Sequence, residues 1–275
     1  MTRALPLMQS PEYARALTLL GVAHRWHILS NGSRILEHSR RLPLLGTVRL
    51  ISRLPALSQA ELTALRQGAP LLLNPDDADT APLRGAGFRR LRRPATLAIL
   101  PVLPEPAQRT ALTQSWRTAL ARAQDAPVAV CRTDLPRDRW LLSVDRLQQR
   151  QRRYRALPAA LLLAYAQANP GKATVYSAHH LGEVIAAILI LRHGTGATYQ
   201  TAVTTSPGRQ LNAHRRLLWT ALNDLRAAGT LALDLGTTDA GQPAGLTRFK
   251  LGMGARDTCL GGTWAGMSRW RSARA

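Results

Sequence analysis

Short blocks of alternating or helically spaced apolar residues, separated by turn residues, run the length of the chain. Residues 11–20 read as a helix with Ser10 as N-cap and Pro11 at its first position. Residues 24–29 and 33–38 read as strands joined by Asn31-Gly32, both of which tolerate positive φ, and predict a hairpin. Another strand follows at 47–52, then a helix at 58–66 opened by Ser58 and Glu61 in capping-box spacing, and a short buried strand at 71–74. A turn around Gly85-Ala86-Gly87 leads into an extended strand at 95–103.

The second half begins with a helix at 107–124, a strand at 128–132, a helix at 138–155 and another at 159–168 that ends in Asn169-Pro170-Gly171. Arg146, Arg150 and Arg153 share one face of the 138–155 helix, able to grip phosphate or to sit in solvent. Three strands rich in β-branched residues, 173–178, 183–191 and 197–204, are spaced by turns and predict an antiparallel meander. Residues 212–227 place Leu217, Leu218, Ala221, Leu222 and Leu225 on one helical face, closed by Gly229, and 231–235 is a strand running into Asp234-Leu235-Gly236-Thr237. A final hairpin is expected to carry Phe249-Lys250. Pro101, Pro104 and Pro106 break any regular element and set a boundary between units 1–104 and 105–275.

At 275 residues and 45% hydrophobic, the chain can bury a sizeable core. Its formal net charge of +21 implies anionic partners: RNA, CoA phosphates, or an acidic membrane or lipid-linked substrate. Two cysteines, Cys131 and Cys259, are too few for a disulfide framework or a zinc site, and the histidines form no metal-ligand spacing. The longest apolar run, 184–191, is far short of a membrane span, and the N-terminus lacks a signal-like apolar stretch. The expectation is a cytoplasmic protein, with the inner-membrane surface as a candidate contact.

Of the 37 basic residues only Lys172 and Lys250 are lysines. Lysine is a compact charge on a flexible stem that shifts its pKa when desolvated, which suits a single point donor. Lys250 lies in a glycine-rich apolar stretch, Gly245-Leu246-Thr247-Arg248-Phe249-Lys250-Leu251-Gly252-Met253-Gly254. From Arg248 onward this resembles the "FK…fGG" signature of the FemABX-like transferases, with Ala255 in place of the second glycine of the final pair. Ser10-Pro11-Glu12-Tyr13, Ile51-Ser52-Arg53-Leu54-Pro55, Gly87-Phe88-Arg89-Arg90 and Trp116-Arg117 resemble other stretches of the same family.

The resemblance implies an α/β fold of two GNAT-like units, each a mixed sheet with flanking helices. The first would be trimmed and the second would carry the transfer site. It implies Lys250 at that site with Phe249 shaping its pocket. Trp116, Arg117, Tyr199 and Arg248 would then be substrate contacts. Asp234, at the end of a core strand, is the best carboxylate for the nucleophile's proton, although a strand-end aspartate also serves as a turn residue. Acetyl-CoA-dependent relatives carry R/Q-x-x-G-x-G/A before a helix, where glycines let backbone amides approach a pyrophosphate. If Gln210 opened that motif, Ala213 and Arg215 would hold the glycine positions, so the loop is absent or remodelled. Gly208, Arg209, His214 and Arg215 remain candidates to hold a donor phosphate; His193 and His214 otherwise read as surface histidines. The expected activity moves an aminoacyl or acyl group onto an amine of an anionic, cell-envelope or lipid-linked acceptor. The co-substrate is aminoacyl-tRNA or acyl-CoA, with no permanently bound cofactor. A catalytically silent protein that binds RNA or a membrane surface is the alternative of another class.

Overall fold

The computed structural model describes residues 4–42, 46–135, 140–152, 156–239 and 243–267. A helix, α1 (Pro11–Leu19), leads into β1 (His24–Ile28), β2 (Arg34–Leu42), β3 (Gly46–Leu54), α2 (Gln59–Leu65), β4 (Leu71–Pro75), α3 (Ala81–Gly85) and β5 (Arg89–Arg92). Next come β6 (Thr96–Pro101), α4 (Glu105–Ala111), α5 (Gln114–Asp125), β7 (Ala129–Asp134), α6 (Trp140–Arg152) and α7 (Ala159–Ala168). The chain continues through β8 (Ala173–His180), β9 (Glu183–His193), β10 (Gly196–Thr204), α8 (Ser206–Gln210) and α9 (Ala213–Ala227). It closes with β11 (Ala232–Thr237), α10 (Ala244–Gly252), β12 (Arg256–Cys259) and β13 (Thr263–Gly266).

Local chemistry sets the early elements as expected. Ser10 Oγ accepts from the Tyr13 amide at 3.1 Å and caps α1. Ser58 and Glu61 form a reciprocal capping box on α2. In the β1–β2 turn only Gly32 takes a positive φ, +78°, while Asn31 Oδ1 accepts from the Ser33 amide.

Among the described residues the strands form two mixed sheets, ordered β1-β2-β3-β4-β13-β5 and β12-β6-β11-β10-β9-β8-β7. Only β3–β4 and β10–β11 pair in parallel. The meander β8-β9-β10 is present as the alternation predicts. Strand β9 reads as an unbroken apolar run because both faces of its sheet are covered. Ile188 and Ile190 join the core beneath α9, whereas Ala187, Leu189 and Leu191 join the core formed with α1 and α7. Leu217, Leu218, Ala221, Leu222 and Leu225 of α9 are buried in the first of these cores. Truncating any of these leucines to alanine should cost about 2–5 kcal/mol.

Three expectations change. The helix predicted at 107–124 is two helices, broken at Leu112-Thr113, where the Thr113 amide donates to the carbonyl of Gly252 at 2.9 Å. The final hairpin does not form: β12 pairs with β6 and β13 pairs with β4 and β5, so the last two strands belong to different sheets. Phe249 and Lys250 lie on α10, a helix that begins after Pro243 and holds Ala, Leu, Arg and Lys, with Thr247 as its only β-branched residue. The sheets also exchange strands across residue 104. β6 belongs to the seven-stranded sheet, and β13 returns to the six-stranded one. Arg146 and Arg150 lie on α6, and Arg153 falls outside the described residues. Among the described residues no helix is long and apolar enough to cross a membrane.

Candidate active site

The parallel strands β10 and β11 pair only over Gly196–Thr198 and Ala232–Asp234. Beyond Thr198, β10 continues with β9 alone, after a bulge between Tyr199 and Thr201. Beyond Asp234, β11 continues with β6 alone, again through an irregularity, between Asp234 and Thr237. The two strands therefore part at Tyr199 and Asp234, and bulges of this kind often re-aim side chains beside active sites.

Lys250 reaches this point from α10. It is 6% exposed, and its Nζ donates to the carbonyl of Thr237 at 2.7 Å. Gly236, at φ +79°, passes beside the ammonium: a Cβ there would lie 3.7 Å from Nζ, an ordinary contact. Burial pushes the lysine below its usual pKa range, and the charge of Asp234 opposes that fall. The Asp234 carboxylate is engaged on both oxygens. Oδ1 accepts from the Gly236 amide at 2.8 Å, and Oδ2 accepts from Arg53 Nη1 at 3.0 Å. Arg53 comes from β3 of the other sheet and pairs a second time, with Asp76 just after β4. The lysine and its neighbouring carboxylate thus sit where the two sheets meet.

Phe249 turns toward an adjacent wall. On a strand it would face away from Lys250; on a helix, consecutive residues can serve neighbouring sides of one site. Its ring lies 5.7 Å from Trp116 and 5.6 Å, edge-on, from His214. Trp116 is buried on α5 and its Nε1 donates to the carbonyl of Phe249 at 3.0 Å. Tyr199 Oη and His214 Nε2 are 2.5 Å apart. Burial, with Arg215 beside it, lowers His214 to about 4, so at neutral pH the imidazole is uncharged and can accept from the tyrosine. Arg215 lies over both Phe249 (5.4 Å) and Trp116 (5.6 Å), and its Nη1 donates to Asn212 Oδ1 at 2.8 Å. Burial lowers its pKa too. Asn212 starts α9 in the left-handed conformation, φ 52°, which asparagine tolerates.

The glycines of the 252–254 stretch have a packing reason. A Cβ on Gly252 would come within 3.1 Å of Thr113 Oγ1 and Trp116 Cδ1. One on Gly254, at φ +92°, would meet Ala111 at 3.0 Å. They let the end of α10 dock against the α4–α5 break, which seats Phe249 over Trp116.

The fold therefore brings together Lys250, Phe249, Asp234, Trp116, Tyr199, His214 and Arg215. It does not bring in the rest. Arg117 is exposed and spends its guanidinium on the Leu112 carbonyl (2.7 Å) and on Gln114. Arg209 is exposed beside the Thr204 carbonyl, and Arg248 is exposed on α10. Gly208 is buried because α8 presses on β9: a Cβ there would lie 2.1 Å from the Ile185 carbonyl oxygen. His193, expected at the surface, is 2% exposed, with Nε2 2.9 Å from Thr198 Oγ1. His214, also expected there, belongs to the aromatic group instead. Arg53, Asp76 and Thr237 were not singled out from the sequence. Arg53 lies in the 51–55 stretch that resembles the family, but its residue type marks neither its φ of 57° nor its ion pairs.

A family model described as an acetyltransferase (GNAT) domain matches residues 106–254, from the start of α4 to just past α10. Among solved structures, the crystal structure of FemX superposes with a TM-score of 0.76 at 14% identity, covering 96% of this chain and 92% of that one. L-PGS from Bacillus licheniformis gives 0.56 at 12% identity, over 97% and 94%. A tandem GNAT protein from the clavulanic acid biosynthesis pathway gives 0.54 at 12%, over 89% and 82%. At these identities the likeness is one of fold. A search of curated proteins returns no match. With two mixed sheets, a parting pair of parallel strands and a domain match over more than half its length, the chain belongs to the GNAT acetyltransferase family and has a FemX-like tandem fold.

Proposed function

We propose that this protein is a transferase that moves an aminoacyl or acyl group onto an amine of an anionic, cell-envelope or lipid-linked acceptor, with aminoacyl-tRNA or acyl-CoA as co-substrate. The observation that carries the reading is the buried Lys250 ammonium held against the Thr237 carbonyl, at the junction of the sheets and beside Asp234. In such a reaction the amine nitrogen bonds to the carbonyl carbon, the ester oxygen or thioester sulfur departs, and the amine gives up a proton. Lys250 would stabilise the charge that develops on the carbonyl oxygen, a contribution of about 2.7–4 kcal/mol for a preorganised donor. Asp234 is the carboxylate at hand for the proton. Phe249, Trp116 and Tyr199 would form the wall against which the acyl group rests, and Arg215 and His214 the side nearest a donor phosphate. Arg248, Arg117 and Arg209 would act only at the outer surface, through long-range attraction.

An aminoacyl donor is favoured over a CoA thioester by one feature. At the start of α9, where a pyrophosphate loop needs glycines for close backbone approach, Arg215 lies folded over Phe249 and Trp116. The purified protein should be offered charged-tRNA mixtures and an acyl-CoA panel in parallel. Transfer from the tRNA pool, lost in Lys250→Ala, is the expected result. Transfer from CoA thioesters alone would assign the other donor. Salt-sensitive tRNA or anionic-vesicle binding, with no transfer from either pool, would leave a binding protein instead.

A further inference from the structure

The residue that ties the two sheets together at the site is Arg53, and its backbone is unusual. It adopts φ 57°, a left-handed conformation that disfavours every side chain except glycine and, to a lesser degree, asparagine and aspartate. It coincides with a break in the β3–β4 register between Ser52 and Leu54. Such outliers persist where the surroundings over-determine them, and they gather at functional positions. Here the surroundings are two carboxylates. Arg53 pairs through Nε with Asp76, whose side chain is 5% exposed, and through Nη1 with Asp234 Oδ2 at 3.0 Å. The arginine itself is only 14% exposed at its side chain.

The charge that bears on Lys250 is Asp234 on β11, which is held in turn by Arg53 on β3, itself paired with Asp76 past β4. Asp234 has both oxygens occupied, by the Gly236 amide and by Arg53, and Lys250 donates to a backbone carbonyl instead. We propose that Arg53 is a positioning residue: it holds Asp234 away from Lys250, so that the six-stranded sheet controls the lysine's charge state in the other sheet. This rests on reading Lys250 as the transfer-site lysine. It adds a reason for the first unit to be present: β3 supplies the clamp that keeps Asp234 from collapsing onto Lys250. Among the described residues Lys250 bonds to no carboxylate, which leaves its ammonium able to donate to a developing oxyanion.

The chain's two lysines make the test direct. Selective ¹³C labelling of lysine gives two side-chain Cε–Hε signals, assigned by Lys172→Arg, and their titration reports Lys250 without any substrate. Arg53→Gly removes the guanidinium while giving the left-handed backbone its preferred residue. Its Lys250 midpoint should rise by about one pH unit or more, the scale of a nearby opposite charge. Asp234→Asn keeps an acceptor for the Gly236 amide and should lower the midpoint. In the Asp234→Asn background, Arg53→Gly should then have no further effect. An unchanged midpoint in either single variant would overturn the proposal. So would an undiminished rise in the double variant, which would show Arg53 acting directly on the lysine and not through Asp234. Because the signal is independent of turnover, a Lys250→Ala protein that still transferred would remove the transfer-site reading without altering this result.

Discussion

The two lysines of this arginine-rich chain occupy two corners of the molecule and are held in opposite ways. Lys172, just before β8, meets Glu12 of α1 directly, Nζ to Oε1 at 2.6 Å. Glu12 also accepts from the Gly194 amide and lies near Arg15, so the carboxylate is saturated and ties α1 to the β8–β9 end of the sheet. Burial alone would raise the Glu12 pKa, but Lys172, its own backbone amide and the Gly194 amide bring it below the usual carboxylate range. Lys250 is more deeply buried, yet its neighbouring carboxylate is taken by Arg53, and burial lowers its pKa. A lysine paired with its carboxylate stabilises the fold. A lysine kept from one holds its charge less firmly, because burial is not offset by a bonded carboxylate.

The strongest way to break the contrast is to give both positions arginine. Arginine keeps the charge but is planar and longer, with its donors in a rigid fork, so it does not fit a pocket built around one ammonium and the Thr237 carbonyl. Lys250→Arg should fail almost as badly as Lys250→Ala, each losing about 10²–10³ in turnover. Lys172→Arg should leave turnover unchanged. Equal turnover in wild type and Lys250→Arg, measured with whichever donor pool is active, would place both lysines in the same structural class.

Much of this layout can be read from the residues themselves. The meander, the capped helices α1 and α2 and the apolar face of α9 follow from alternation, caps and three-and-four spacing, all of them local signals. Lys250 was legible because it departs from the composition around it. The errors lie where distant contacts decide. Phe249-Lys250-Leu251-Gly252 can be written as strand or helix, and the choice falls to helix because Gly252 and Gly254 must dock against Thr113 and Ala111, more than a hundred residues away. His193 looks like a turn residue, but the turn is roofed by the N-terminal segment: a Cβ on neighbouring Gly196 would meet the Leu5 carbonyl at 3.0 Å. Arg53 lies in the 51–55 stretch that resembles the family, but nothing local marks its conformation or its partners, Asp76 past β4 and Asp234 on β11.

Two buried histidines sharpen the comparison. Burial lowers His193 to about 4 against the opposing charges of Glu12 and Asp234, and lowers His214, beside Arg215, to about 4 as well. A histidine lowered on folding binds its proton more readily when unfolded. Its stabilising contribution is complete above its ordinary value of 6.5 and is lost as pH falls from there toward 4. For His193, 2% exposed, the loss across that window is roughly 3 kcal/mol, at about 1.4 kcal/mol per pKa unit. Chemical denaturation at pH 7 and pH 4.5 should therefore show a steep wild-type decline that His193→Gln flattens, with a smaller effect on turnover at neutral pH than His214→Gln has. His214→Gln should flatten it as well, and should also lower turnover, because its partner Tyr199 and its neighbour Phe249 line the site. Equal turnover in the two variants would show that His214 takes no closer part in the site than His193.

The smallest effect concerns the Lys172 pair alone. Lys172→Met keeps much of the apolar stem and removes the ammonium, leaving Glu12 with the Gly194 amide and the more distant Arg15 as partners. Hydrogen bonds to charged groups contribute about 1.5–3 kcal/mol, and the value here should fall at the low end, since the lysine side chain is 36% exposed. The sign of its pH dependence follows from Glu12. Its folded pKa lies below the ordinary 4.5, so the pair stabilises the fold above that value and ceases to as pH falls through the lowered one. The gap between wild type and Lys172→Met should be widest near pH 6–7 and close in strong acid. That is the opposite direction from a lysine whose charge is a burden to the folded state. Lys250→Met, which removes a desolvated ammonium with no carboxylate bonded to it among the described residues, should be close to neutral or mildly stabilising at pH 7. Denaturation curves for the two methionine variants at neutral pH, displaced in the same direction by the same amount, would show that the two lysines do the same work.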